Sequence, residues 1–119
     1  MKIFDMKIFD KIFIGLLTFG VLGHLYGTFT LTEIGSELFV WSLAGGLAAG
    51  LIVTINILRH IRPDDYVLAR VALVGSVCWI GIAILFGLSI GNVLDPRALA
   101  HAIAALGLAF FSFRTSRFI

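Results

Sequence analysis

The sequence predicts an all-α membrane protein: four antiparallel transmembrane helices with short connectors and both termini cytoplasmic. Three observations predict it. Hydrophobic residues make up 60% of the 119-residue chain and charged residues only 13%, against about 45–50% and about 25% in a soluble domain. The mean hydropathy is +1.06. The apolar residues gather into four long runs separated by short polar stretches. A soluble fold this small needs polar groups over most of its surface, and nine Lys/Arg with seven Asp/Glu cannot supply them. A soluble enzyme, a disordered chain and a disulfide scaffold are excluded as classes.

Residues 1–11 form a cytoplasmic or interfacial segment that repeats itself. Met1-Lys2-Ile3-Phe4-Asp5 is followed by Met6-Lys7-Ile8-Phe9-Asp10. Met6 is therefore a second candidate start after Met1. The alternative reading is a short amphipathic helix lying on the membrane with its Lys residues at the lipid-phosphate level. It is not read as a cleavable signal, because the following apolar run is long and lacks a small-x-small cleavage site.

Roughly 20 apolar residues cross a bilayer. The four expected spans within 12–113 are Ile12–Leu31, Leu38–Leu58, Val71–Gly91 and Ala98–Phe113. Residues 114–119 are an expected cytoplasmic tail. Asp95-Pro96 is a helix-start signal, since Asp caps and Pro suits the first helical position. Arg62-Pro63-Asp64-Asp65 makes a similar signal before the third helix.

Direction follows from the cations. Lys2, Lys7, Lys11, Arg59, Arg62, Arg70, Arg114 and Arg117 fall on one side of a four-span chain. Arg97 alone falls on the other, with Glu33, Glu37 and Asp95. The bias orients both termini to the cytoplasm, with a bacterial inner membrane favoured over an organelle membrane. Tyr26 and Trp41 sit at the expected outer interface and Tyr66 at the inner one. The net charge of +2 does not imply nucleic acid, because the basic residues flank apolar runs instead of forming a phosphate-binding surface. Cys78 is the only cysteine. It lies in an apolar run without metal-ligand spacing and reads as a small hydrophobe.

Lipid is as apolar as Leu, so small residues that let backbones approach drive helix pairing in a bilayer. Ser42, Gly46, Gly50 and Thr54 follow at four-residue steps on the second span. Gly20, Gly23 and Gly27 form a face on the first, and Ala98, Ala102, Ala105 and Ala109 on the fourth. All are expected packing positions. Gly75 and Gly81 are isolated on the third.

Ionisable groups within a span invite a functional hypothesis, and His24 and His101 are the two that the sequence places there. Both sit on small-residue stripes at similar expected depth. Facing each other, they would suit the axial positions of a haem, or a chlorophyll-type pigment or a quinone; with Glu33 or Glu37 they would suit a divalent metal. The competing reading is a neutral His bonded to a backbone carbonyl or a hydroxyl on the next helix. No cofactor is required by the sequence. Asn56, beside Thr54, is an expected interhelical hydrogen-bonder. Trp79 needs a partner for its indole N–H, with Ser76, Asn56 or a cofactor as candidates. Arg59, His60 and Arg62 are expected at a solvated or lipid-phosphate rim, and Arg70 is expected to snorkel there toward Asp64 and Asp65.

No nucleophile–base set, phosphate loop or paired intramembrane carboxylate is present, so catalysis is not expected. The expected function is a helix-packing accessory subunit of a larger membrane complex, of respiratory or photosynthetic type, or a homo-oligomer. Its expected partners are the lipid bilayer and other transmembrane helices. A haem-, pigment- or quinone-binding electron-transfer protein using His24 and His101 is the second class, and a small proton-coupled transporter the third. Four spans in little more than a hundred residues is similar in layout to the small multidrug resistance transporters. That family carries an essential Glu in its first helix, where the nearest ionisable residue here is His24. Its third-helix signature is not reproduced by Tyr66-Val67-Leu68-Ala69-Arg70. The resemblance covers length and span count alone.

Overall fold

The structure is a computed structural model describing residues 2–117. The described residues form four α-helices: α1 Ile3–Leu31, α2 Glu37–Ile61, α3 Tyr66–Ser89 and α4 Pro96–Ser116. All four are long and apolar enough to cross a membrane, the pattern of a multi-pass membrane protein. Met1 lies outside the described residues, as do the last two positions of the expected tail.

The helix starts follow from local chemistry. Ser36 accepts a hydrogen bond from the Phe39 N–H (3.1 Å), Asp65 from Leu68 (3.0 Å) and Asp95 from Arg97 (2.9 Å). Each meets an amide that the first helical turn leaves unpaired. Pro96 occupies the first turn of α4. Gly35 and Gly91 turn the first and last connectors at φ 86° and 71°, where a side chain would clash with the backbone.

Several boundaries differ from the sequence reading, α3 among them, which begins at Tyr66 and not at Val71. α1 starts at Ile3, not near residue 12, and takes the repeated segment into one continuous helix. Nothing between Ile3 and Lys11 breaks a helix, and Asp10 is drawn into the bundle interior by a partner on α2. α4 runs on to Ser116, so Arg114 lies in its last turn and not in a tail.

The helices form a ring in which α1 touches α2 and α4, α3 touches α2 and α4, and α1 and α3 stay apart. The closest pair is α3–α4. Its contact is made of small side chains: Ala69, Ala72, Ser76 and Ala83 on α3 are buried, as are Ala98, Ala105, Ala109 and Ser112 on α4. Gly87 lets the returning connector fold onto α3, since a Cβ there would lie 2.8 Å from the Val93 Cα, with the Ala98 Cβ of α4 at 3.4 Å. The central layer joins Leu17 and Val21 of α1, Ala49 and Val53 of α2, Trp79 of α3 and Leu108 of α4.

Candidate functional site

Two polar clusters interrupt the apolar interior. The first is built on His24 of α1 and His101 of α4. Their rings lie 6.4 Å apart, centroid to centroid, at an interplanar angle of 76°. His24 Nε2 donates to the Ser42 carbonyl at 2.7 Å. Thr28 Oγ1 donates to the His24 carbonyl at 2.9 Å and meets the Ser42 hydroxyl at 2.6 Å. One short network therefore joins α1 to the first turns of α2.

His101 is held from the other side. The Trp79 indole N–H donates to its Nδ1 at 3.1 Å. An indole can only donate, so Nδ1 carries the lone pair and the proton sits on Nε2. Nε2 faces the Gly20 backbone, and a Cβ at Gly20 would come within 3.0 Å of it. The ring is thus a neutral tautomer with both nitrogens engaged. A bis-imidazole haem or metal site needs a lone pair from each ring, and the one on His101 is already accepting from Trp79. Among the described residues no group of three His, Cys, Asp or Glu side chains converges on a common point, so Glu33 and Glu37 do not join the pair.

The second cluster lies at the other end of the bundle, and sequence reasoning missed it. Arg59 is 2% exposed. Its Nη1 and Nη2 donate to the two carboxylate oxygens of Asp10 at 2.8 and 2.6 Å. His60 Nδ1 reaches the same carboxylate at 2.7 Å. Arg59 Nε donates to Asn56 Oδ1 at 3.2 Å, and Ser112 of α4 donates to that oxygen at 3.0 Å. The Asn56 amide nitrogen donates to Ser76 Oγ of α3 (3.1 Å) and to the Ile52 carbonyl (2.9 Å). All four helices contribute, and Asn56 makes four hydrogen bonds, the full use of its amide.

This corrects the rim expectation for Arg59 and His60. Arg59 does not face solvent or lipid phosphate, because it follows Asn56 by three residues and shares its inward face. On the next connector, Asp65 caps α3 and lies 3.9 Å from Arg62.

The expected packing residues divide as well. Gly20 and Gly46 are seats for neighbouring side chains: a Cβ at Gly46 would strike Leu25 at 2.5 Å and approach His24 at 3.4 Å. Ser42 bonds α1, Ala105 is fully buried and Ala102 is half-buried. Gly23 and Gly50 face open space, and Gly27 meets only Leu31 of its own helix. Thr54 is exposed and bonds back to the Gly50 carbonyl. A four-residue step overshoots one turn by about 40°, so the Ser42–Thr54 stripe winds off the packed face after Gly46. The buried residues of α2 from Gly46 onward, Ala49, Val53, Asn56 and Arg59, follow instead at steps of three or four.

Comparison with known proteins gives no match among family models, curated proteins or solved structures.

Proposed function

We propose that this chain is a small polytopic subunit without catalysis of its own, which works by assembling with other transmembrane helices. Its four helices run antiparallel in a bacterial inner membrane with both termini cytoplasmic. It is an accessory part of a larger membrane complex, of respiratory or photosynthetic type, or a homo-oligomer. The observation that carries this reading is the saturation of the interior. Among the described residues every buried side-chain nitrogen and oxygen has a hydrogen-bond partner, and Asp10, Arg59, Asn56, Ser76, Ser112 and Trp79 find theirs across helix contacts. A substrate path through the bundle would present unpaired polar groups along it, whereas these groups are paired with one another and tie helices together. The outward face is rich in large apolar side chains such as Phe19, Leu22, Leu47 and Leu106, which suit lipid and partner helices alike. Purification of the intact chain from its membrane in mild detergent tests the reading. Co-purification at defined stoichiometry with other membrane chains, or a discrete homo-oligomer by native mass, is expected; a monomer that transports a substrate in vesicles would overturn it.

A second reading rests on the 6.4 Å separation of His24 and His101. A ligand seated there would displace the Trp79–His101 bond. An absorbance band that co-purifies with the chain and disappears in His24→Ala would support this reading over the first.

A further inference from the structure

Two cavities share Phe111 as a wall and both touch α1 and α4, and they differ in chemistry. At the end that carries the Asp10–Arg59 pair there is a cleft of about 240 Å³ lined by Lys7, Asp10, Arg59, His60, Arg114 and Arg117, among others. Four of these six are cations and one is an acid. Arg59 already neutralises Asp10, so three net positive charges remain on the lining. The end of α2 meets this cleft, and Arg114 offsets the partial negative charge of the last turn of α4. Lys7 and Arg117 then serve no other anion of the cleft. Arg117 is held in place by its guanidinium, 4.9 Å above the Tyr66 ring.

The second cavity is a groove of about 500 Å³ lined by Phe9, Phe13, Ile103, Leu106, Phe110 and Phe111. Phe111 borders both cavities. Gly107 seats the Phe13 ring against α4 at the wall of the groove: a Cβ there would collide with that ring. Along α4 it runs from Phe111 back to Ile103, about 12 Å at 1.5 Å per residue. One leaflet of hydrocarbon is about 15 Å deep. A cationic cleft and an apolar groove of leaflet depth that meet at Phe111 match the two halves of one amphiphile.

We propose that these two cavities bind one anionic phospholipid, its phosphate headgroup in the cleft among Lys7, Arg114 and Arg117 and one acyl chain in the groove. Basic pockets between transmembrane helices attract anionic headgroups in this way. The site needs the bilayer but is independent of whether the bundle has protein partners, and lipid retention is a different readout from co-purifying chains.

The test uses the full-length chain in mild detergent, with lipid retention read by native mass spectrometry. The probes are phosphatidylglycerol, phosphatidylcholine of the same acyl chains, and inorganic phosphate. Phosphatidylglycerol is expected to be retained in preference to phosphatidylcholine. Arg114→Gln with Arg117→Gln should weaken its retention by about fivefold for each charge removed. Both side chains project from the last turn of α4 or just beyond it, so the bundle should fold. Ile103→Trp, on a half-exposed position, should fill the groove and lower retention with the charges intact. Arg97→Gln, which removes a cation elsewhere, should leave retention unchanged. Equal retention of the two lipids overturns the proposal, as does a loss in Arg97→Gln matching that of the double variant. Displacement of phosphatidylglycerol by inorganic phosphate, with no effect of Ile103→Trp, would make the cleft a free-phosphate site and also overturn it.

Discussion

Arg59 grips Asp10 through two near-parallel N–H···O bonds of 2.8 and 2.6 Å, joining α1 to α2 with both side chains almost fully buried. The fork geometry matches guanidinium to carboxylate, and Asn56 and His60 add one further bond to Arg59 and to Asp10 respectively. Desolvating two charges is offset only when such extra bonds are present. The pair therefore specifies how α1 and α2 register against each other.

Breaking one side of this pair should be expensive. Asp10→Ala leaves a buried guanidinium without its counter-charge and is expected to cost about 3–5 kcal/mol. Arg59→Met combined with Asp10→Leu removes both charges and should cost far less than the sum of the single changes. Unfolding of the purified chain in a denaturing-detergent titration measures each. Additive costs would show that the two residues act separately.

Packing gives a sharper contrast. Gly46→Leu should disrupt the α1–α2 contact, because its first added carbon already strikes Leu25. Gly50→Ala on the same helix meets nothing within 4 Å and should be neutral or slightly stabilising through helix propensity. Leu47→Phe points outward from a residue 66% exposed and should be tolerated. The same titration, read by helix content, ranks the three. Equal damage from Gly46→Leu and Gly50→Ala would mean the helix faces are assigned wrongly.

Most of the architecture was legible because hydropathy and connectors carry it: four apolar runs, and the Ser36, Asp65 and Asp95 positions where helices begin. Small residues were legible where glycine marked them, at Gly20 and Gly46. On α4 the alanine stripe of Ala98, Ala105 and Ala109 was legible too, but the buried Ala69, Ala72, Ser76 and Ala83 of α3 were not, because alanine is also the commonest lipid-neutral helix former. Asp10 and Arg59 were hidden for a different reason. A charge near the end of an apolar run is usually a topology signal, and only the face shared with Asn56 distinguishes Arg59 from its neighbour Arg62. The Trp79–His101 bond joins α3 to α4 across 22 positions, a pairing that no local spacing announces.

Topology is a separate expectation, resting on charge. Eight of the nine Lys and Arg residues flank one side of the four helices. Reporters fused after Arg117 and in the connector 62–65 should read cytoplasmic, and one in the connector 32–36 external. Opposite readings from the first two would eliminate the four-span arrangement.

The histidines provide the most discriminating measurement. As the bonds stand, His24 belongs to a network with Ser42 and Thr28, while His101 belongs to one with Trp79 and Gly20. The two rings are neighbours without a bond between them. His24→Ala and His101→Ala should then each cost about 0.6–1.7 kcal/mol, the range of interhelical hydrogen bonds in a membrane bundle. Trp79→Phe should cost about as much as His101→Ala, and combining those two should add little, because both remove one bond. His24→Ala combined with His101→Ala should instead be nearly additive. A shared ligand reverses that pattern: either histidine change alone would abolish the ligand signal, and the second would add nothing. Denaturant titration of the three single and two double variants, with an absorbance spectrum of each, separates the two arrangements. Strong coupling between His24 and His101 with a spectrum lost in both would replace the packing role by a bound cofactor.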